Sequence, residues 1–301
     1  MRGLAAYIMR GRAQAVSAIC ALTVLSWVVS LASLLAAAAL ALPTLRKGAA
    51  EGGLLLGMAV AIMALIGGLM LGNPLSAAGY ALALWGPVWL LSALLRETAR
   101  LDWTLGAAAL LAMVLVLGLY AVYGDPMRLW LEELQQFSKA FVEGGRPAAE
   151  QALLRQNVEL FARYMTGGIA AGSMLTVSFS LLLARWWQAT LFNPGGFRVE
   201  FQGLRPASPW AYASLGLFAL AGIADGGLAE FAWNLALPLS MLFLLTGFAV
   251  LHAVFGRQAN GGFWLAGVYV ALVFASPLIV LIGLLGYSDT WMDWRNRPRV
   301  A

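Results

Sequence analysis

The segment 124-GDPMRLWLEELQQFSKAFVEGGRPAAEQALLRQNVELFARY-164 is the only long polar interval in an otherwise apolar chain. It separates one group of hydrophobic runs, at 15–123, from a second group at 165–287. Apolar runs of ~18 residues or more are typical of transmembrane helices. The sequence therefore predicts a membrane protein with two clusters of spans joined by a polar connection.

The polar interval has the spacing of two amphipathic helices. Gly144-Gly145 is suited to end the first helix, and Pro147 is suited to the first turn of the second. Apolar residues at helical spacing give each helix one stripe, Trp130, Leu134, Phe137 and Phe141 in the first and Leu154, Val158, Phe161 and Met165 in the second. The five basic and six acidic residues of the interval nearly cancel. This balance favours a cap packed on the protein over an anchor to anionic lipid.

The composition excludes several functional classes. Charged residues make up 11% of the chain, against about 25% in soluble domains. Hydrophobic residues make up 61%, and the mean hydropathy is +0.81. The net charge of +5 comes without a Lys/Arg cluster in a soluble fold, so nucleic acid is not an expected partner. Cys20 and His252 are the only residues of their types, which argues against an intrachain disulfide, a metal site or a bound cofactor.

The hydropathy pattern predicts an all-α, polytopic transmembrane bundle of about eight spans, with the amphipathic hairpin between spans four and five. This divides the chain into a four-span region at 1–123, the hairpin at 124–164, and a second four-span region with an interfacial tail at 165–301. The expected spans are 15–42, 52–71, 75–95, 103–123, 165–187, 210–224, 228–255 and 263–287. The run 210–224 is short for a full span, so re-entry is the alternative there.

Basic residues suggest how the chain is oriented. Arg2, Arg10 and Arg12 precede the first run, which favours a cytoplasmic N-terminus in a bacterial inner membrane. Eight spans would also place the hairpin and the C-terminus in the cytoplasm. With that topology, eleven of the Lys and Arg residues face the cytoplasm and eight face outward.

A small group of polar residues in the second half offers candidate ligand-binding positions. Glu230 and Asn234 lie four residues apart, on one helical face, with Asp225 before them and His252 at the end of the same run. Carboxylate and amide oxygens here are suited to a cation or a cationic ligand. The competing interpretation places Asp225 and Glu230 in the headgroup layer.

Two further segments are candidate docking positions for a protein partner. Ala32 and Ala36 form a small-residue spacing that lets helix backbones approach closely. In the tail, the candidates are Asp289, Trp291, Asp293 and Arg295. A membrane anchor is the favoured interpretation of the tail, with Asp289 at the N-cap of a short helix and with Asp293 and Arg295 directed towards water or towards a neighbouring loop.

No catalytic signature was found. The sequence has no nucleophile elbow, zinc-protease motif, phosphate-binding loop or paired intramembrane carboxylates. No Asp, Glu, Lys or Arg lies in the middle of an expected span, which also argues against ion coupling. The protein is therefore not expected to be an enzyme.

Three short stretches resemble the YybS-like family of uncharacterised bacterial membrane proteins. They are 193-NPGGFR-198, 246-TGFAVLH-252, in which Thr stands where the family tends to have Gln before Gly, and 284-LLGYSDTWMDWR-295. That family is distantly similar to substrate-binding components of vitamin transporters. These dock a coupling subunit through small residues in their first helix, a role that the resemblance implies for Ala32 and Ala36.

Two functions remain open at this point. The first is a substrate-binding or transport-related membrane component without its own energy source, with a small-molecule ligand and a membrane protein partner. The alternative is a non-transporting scaffold that recruits a partner through the hairpin at 124–164.

Overall fold

The computed structural model describes residues 2–142 and 148–296, and side chains at 71, 137–142 and 148 are excluded from the description. Thirteen helices and no strands occur within these residues, so the predicted all-α class is confirmed. The helices are α1 (Arg2–Met9), α2 (Arg12–Ser26), α3 (Ala32–Lys47), α4 (Ala49–Leu71), α5 (Pro74–Thr98), α6 (Leu101–Tyr123), α7 (Pro126–Val142), α8 (Ala148–Phe192), α9 (Gly196–Gln202), α10 (Ser208–Ile223), α11 (Gly226–Phe255), α12 (Gly261–Phe274) and α13 (Leu278–Met292).

The helices form two compact units, and each unit combines separate parts of the chain. The first unit contains Met1–Ala108 and Leu175–Arg205, and the second contains Ala109–Met174 and Pro206–Ala301. The boundaries fall inside the long helices α6 and α8. The units therefore differ from a division in chain order, in which the polar interval would separate two halves.

Five helices in the described residues are long and apolar enough to cross a membrane. They are Ala49–Met70, Pro74–Thr98, Leu101–Tyr123, Ala149–Phe192 and Gly226–Phe255. The chain is therefore a helical membrane protein. Four other apolar helices are shorter: Arg12–Ser26, Ser208–Ile223, Gly261–Phe274 and Leu278–Met292. The expected count of eight full spans is not confirmed.

The first expected span, 15–42, is wrong as a single helix. The chain forms α2 of 15 residues and α3 of 16 residues, which pack against each other. The break follows Ser26. The β-branched residues Val28 and Val29, together with Ser30, lower the helix propensity there, and backbone hydrogen bonds between residues three or four apart close a turn. Each helix is about 22–24 Å long at ~1.5 Å per residue, shorter than the ~30 Å hydrocarbon layer.

Both ends of the α2–α3 pair lie at the same end of the first unit. Arg12 at the start of α2 forms an ion pair with Glu51 in the first turn of α4, at 2.7 Å. Lys47 at the end of α3 is only two residues before α4 begins. The turn at the opposite end is apolar, and its Val28 and Leu31 are 86% and 72% exposed. The pair is therefore a helical hairpin with charged ends and an apolar tip.

Spans two to four agree with the expectation, as helices α4, α5 and α6. Asn73 caps α5 because its side-chain oxygen accepts hydrogen bonds from the backbone N–H groups of Leu75 and Ser76, both at 3.1 Å. Pro74 occupies the first turn of α5, where no N–H is needed. Asn73-Pro74 therefore forms the tight turn between α4 and α5.

The polar interval is helical, as expected, but its second helix does not end before the fifth span. Residues 148–192 form one continuous helix of 45 residues, α8. Trp130 of α7 contacts it, donating a hydrogen bond from Nε1 to Thr166 Oγ1 at 2.8 Å. Phe161 was expected in the buried stripe, but it is 67% exposed. The buried face instead follows the small residues Ala162, Thr166 and Ala170, so that expectation is wrong.

The eighth expected span, 263–287, is also divided. It forms α12 and α13, and the break at residues 275–277 includes Ser276-Pro277. Helix α13 packs closely on α11: a Cβ added to Gly247 or Gly286 would clash with a backbone carbonyl of the facing helix. At this contact the rings of Phe243 and Tyr287 stack with centroids 4.1 Å apart.

Candidate functional site

The structure brings Glu230 and Asn234 together, as predicted, but in a packed cluster. Asn234 is fully buried, and its amide group lies against α8. Its Nδ2 donates to the carbonyl oxygens of Arg163 at 3.0 Å and Glu230 at 2.8 Å, and to Tyr120 Oη at 3.1 Å. Its Oδ1 accepts from the Gly167 backbone N–H at 2.5 Å.

The Asn234 amide contacts two backbone groups of α8, the Arg163 carbonyl and the Gly167 N–H, which are four residues apart along that helix. Both the donor and the acceptor functions of the Asn234 amide are occupied. Glu230 in turn pairs with Arg163 at 3.2 Å. The cluster joins helices within the second unit, where the Asn234 amide holds α11 against α8.

The other two candidate ligand-binding residues lie apart from this cluster. Asp225 is exposed at the N-cap of α11 and makes no side-chain capping bond. His252 lies near the other end of α11, where its Nδ1 is 2.9 Å from the Phe248 carbonyl oxygen and its Nε2 is 3.4 Å from Tyr269 Oη. The four residues therefore do not form one site. The described residues contain no group of three His, Cys, Asp or Glu side chains arranged to hold a metal ion.

The tail residues form a buried ion pair, in contrast to the expected water-facing arrangement. The side chains of Asp289 and Arg295 are 1% and 9% exposed, and Asp289 Oδ2 is 3.0 Å from Arg295 Nη2. Asp289 lies inside α13, near its C-terminal end, and accepts the Trp294 backbone N–H at 3.0 Å. The expectations of an N-cap at Asp289 and a solvated Arg295 are wrong because the chain turns back after Met292.

The remaining docking candidates differ in their exposure. Trp291 is 50% exposed and donates to Tyr212 Oη at 3.1 Å. Asp293 adopts a left-handed conformation at the C-cap of α13. Ala32 and Ala36 are 2% and 0% exposed, so this small-residue spacing is covered within the chain.

A polar cavity in the first unit was not predicted. Its volume is about 400 Å³, and it lies where α3, α5 and α8 end and α9 begins. We call it the arginine cavity, and its lining residues are Leu45, Arg46, Leu95, Arg96, Glu97, Ala99, Arg185, Gln188 and Glu200. Because α4 begins and α5 ends at this level, the cavity lies at one boundary of the candidate spans.

Two of the three cavity arginines are engaged by the protein itself. Arg96 Nη1 donates to the carbonyl oxygens of Leu45 and Arg46, both at 2.8 Å, and so satisfies two acceptors that the last turn of α3 leaves free. Arg185 forms a bidentate pair with Glu200, with an Nε–Oε2 distance of 2.8 Å, and its Nη1 donates to Gln188 at 2.8 Å.

Arg46 differs from the other two arginines. Its guanidinium carbon lies 4.5 Å from the centroid of the Phe192 ring, a cation–π contact. Within the described residues, neither Arg46 nor the cavity carboxylate Glu97 has a salt-bridge partner. Among the residues that the structure describes, Arg46 and Glu97 are therefore the charged groups of this cavity whose side chains make no hydrogen bond or ion pair, whereas the charge of Arg96 is held only by two neutral carbonyl groups.

Sequence reasoning missed this cavity because its residues come from four separated segments, near the ends of α3, α5 and α8 and in α9. Arg46, Arg96 and Arg185 each looked like an ordinary basic residue flanking a span. One signal was present: Arg185, Arg198 and Arg205 faced outward in the expected topology, against the preference of basic residues for the cytoplasmic side.

Comparison with protein-family models, with curated proteins and with solved structures gave no match. The resemblance to the YybS-like family therefore stays a prediction. What can be said about function depends on the geometry of the described residues.

Proposed function

We propose that this chain is a substrate-binding or transport-related membrane component without its own energy source, and that its ligand occupies the arginine cavity. The observation that carries the proposal is the cavity itself. Its volume of about 400 Å³ falls within the ~300–1,000 Å³ typical of small-molecule sites, and three charged groups in it, Arg46, Arg96 and Glu97, have no ion-pair partner within the described residues. Binding without catalysis is the role that this arrangement supports.

The polar cluster around Asn234 is the other candidate ligand site, and its contacts make it less suitable than the arginine cavity. The Asn234 amide is engaged by backbone groups of α8, and the Glu230 carboxylate is paired with Arg163. Removing such groups would destabilise helix packing, whereas changes at Arg46 or Glu97 would leave the internal bonds intact. Ligand binding is therefore better supported at the cavity than at the cluster.

The test is to purify the protein in mild detergent and to identify bound small molecules by native mass spectrometry. Glu97 is exposed at the cavity, so Glu97→Trp adds bulk there without disturbing a buried contact. Lys47→Trp is the matched control, since Lys47 is exposed nearby but does not line the cavity. We expect Glu97→Trp to lose a bound molecule that Lys47→Trp retains. Equal occupancy in both variants would contradict the proposal.

A second candidate function, the scaffold, is favoured by the surface of α8. Leu153, Leu160 and Phe161 are 58%, 54% and 67% exposed, beside the charged Arg155 and Glu159. If this face recruits a protein, Leu160→Ser with Phe161→Ser should abolish a crosslink formed in native membranes. Retention of the crosslinked partner would contradict the scaffold.

A further inference from the structure

The arginine cavity contains charges that indicate the class of its ligand. Building on the proposed function, we propose that it binds a singly charged phosphodiester, and that Arg46 is the residue that contacts the phosphate. The structure supports this in three respects: which guanidinium is available, what net charge the cavity has, and where it lies along the helices.

Arg46 is available because its only described side-chain contact is with the face of an aromatic ring. The guanidinium carbon lies 4.5 Å from the centroid of the Phe192 ring, and no hydrogen bond from the guanidinium N–H groups occurs within the described residues. A planar guanidinium can donate two parallel hydrogen bonds to a phosphate, and such charge-assisted bonds are about twice as strong as neutral ones. Arg96 and Arg185 are instead held by carbonyl groups and by Glu200.

The charge of the cavity favours a single negative charge on the ligand. Three arginines and two glutamates line it, which gives a formal charge of +1. A phosphodiester carries one negative charge and balances this. A phosphomonoester carries roughly −1.5 to −2 near pH 7, and Glu97 would repel the additional charge.

The position of the cavity fits the same group. It lies at the ends of α3 and α5, beside the first turn of α4, and so at one boundary of the spans. Lipid phosphodiesters lie at this depth in a membrane. The same chemistry also occurs in soluble diesters, so the group can come from a lipid headgroup or from a soluble molecule.

The experiment measures binding of two probes to the purified full-length protein. Phosphatidylglycerol in mixed micelles with phosphatidylcholine tests the lipid source, by native mass spectrometry, and diethyl phosphate tests the soluble source, by calorimetry at constant ionic strength. Preferential binding of phosphatidylglycerol assigns a lipid ligand, and binding of diethyl phosphate assigns a soluble one. If neither probe binds more tightly than chloride or phosphatidylcholine, the proposal is wrong.

Variants at three positions test the role of each charge. Arg46→Gln should weaken binding of the active probe at least tenfold, as expected for loss of a charged hydrogen bond. Arg46→Lys should show an intermediate loss, because it keeps the charge but not the planar fork. Glu97→Gln should strengthen binding, because it raises the formal charge of the cavity. Lys47→Gln is the matched control and should change binding less than twofold.

Two results would overturn the inference while leaving the proposed function in place. Weaker binding in Glu97→Gln would indicate that the ligand has a cationic group that needs this carboxylate. Equal binding by Arg46→Gln and Lys47→Gln, with unchanged melting temperatures, would show that Arg46 does not contact the ligand. By contrast, if Glu97→Trp retains the bound molecule found in the wild-type protein, the proposed function itself fails.

Discussion

Replacing Gly167 with alanine probes the closest approach of α8 and α11. A Cβ at this position would lie 2.6 Å from Asn234 Cα and 2.8 Å from the Asn234 carbonyl oxygen. These are backbone atoms, so the two helices would have to separate. Overpacking of this kind costs ~1–3 kcal/mol.

Separation would also weaken the bonds of the Asn234 amide to Gly167 and Arg163. Hydrogen bonds between membrane helices average ~0.6 kcal/mol each, which adds ~1 kcal/mol for these two. Alanine in a helix interior recovers about 0.5–1 kcal/mol relative to glycine. The free energy of unfolding should therefore fall by about 1–3 kcal/mol in Gly167→Ala.

The adjacent Gly168 provides a matched control. Nothing lies within 4 Å of a Cβ added there. Gly168→Ala should therefore raise the free energy of unfolding by about 0.5–1 kcal/mol through helix propensity alone. Unfolding of both variants in lipid-detergent micelles, followed by tryptophan fluorescence, gives the comparison. If Gly167→Ala is as stable as Gly168→Ala, the close contact between α8 and Asn234 does not exist.

Two further predictions concern buried polar groups. Asp289→Asn should lower the free energy of unfolding by about 3–5 kcal/mol because it leaves Arg295 charged and buried. The double variant, Asp289→Asn with Arg295→Met, should lose less stability because it leaves no buried charge. A double variant less stable than the single one would contradict the buried pair. Thr166→Val removes the acceptor of the Trp130 indole N–H and should cost ~0.6–1.7 kcal/mol. Ser178→Ala should be neutral or stabilising, since that buried hydroxyl has no hydrogen-bond partner among the described residues. Equal losses of unfolding free energy in Thr166→Val and Ser178→Ala, measured by the same unfolding assay, would refute the hydrogen bond between Trp130 and Thr166.

The parts of the fold that were predictable are those set by local pattern. Long apolar runs bounded by polar turns identified α4, α5, α6 and α11, and Asn73-Pro74 marked a helix start through capping chemistry that is visible in the sequence. The helical spacing of the polar interval likewise indicated α7 and the first part of α8.

The features that were missed depend on contacts between distant segments. Hydropathy does not show that the run 15–42 turns back after Ser26, because the turn is as apolar as the helices it joins. The pairing of Asp289 with Arg295 depends on a chain reversal after Met292. The exposure of Phe161 follows from α8 continuing without a break, so that small residues face the bundle.

The candidate site was unpredictable for the same reason. Glu230 and Asn234 were predicted to be neighbours because they share one helix. The groups that they bind, the Arg163 guanidinium and the Gly167 N–H, belong to another helix, α8. The arginine cavity combines residues from around 45, 95, 185 and 200. It forms because Leu45 and Arg46, at the end of α3, lie beside the start of α4 and so at the end of the unit where α5 ends.

The membrane topology tests the α2–α3 hairpin most directly. If α2 and α3 fold back, Arg10 lies on the same face of the membrane as Lys47, and three helices, α4, α5 and α6, separate that face from the polar interval. Single cysteines at Arg10 and Arg155, both exposed, can be placed in a Cys20→Ala background and labelled with a membrane-impermeant maleimide in intact and in opened cells. The hairpin predicts that one position is labelled in intact cells and the other only after opening. Labelling of both positions under the same condition would mean that the first apolar segment crosses the membrane, and would contradict the hairpin.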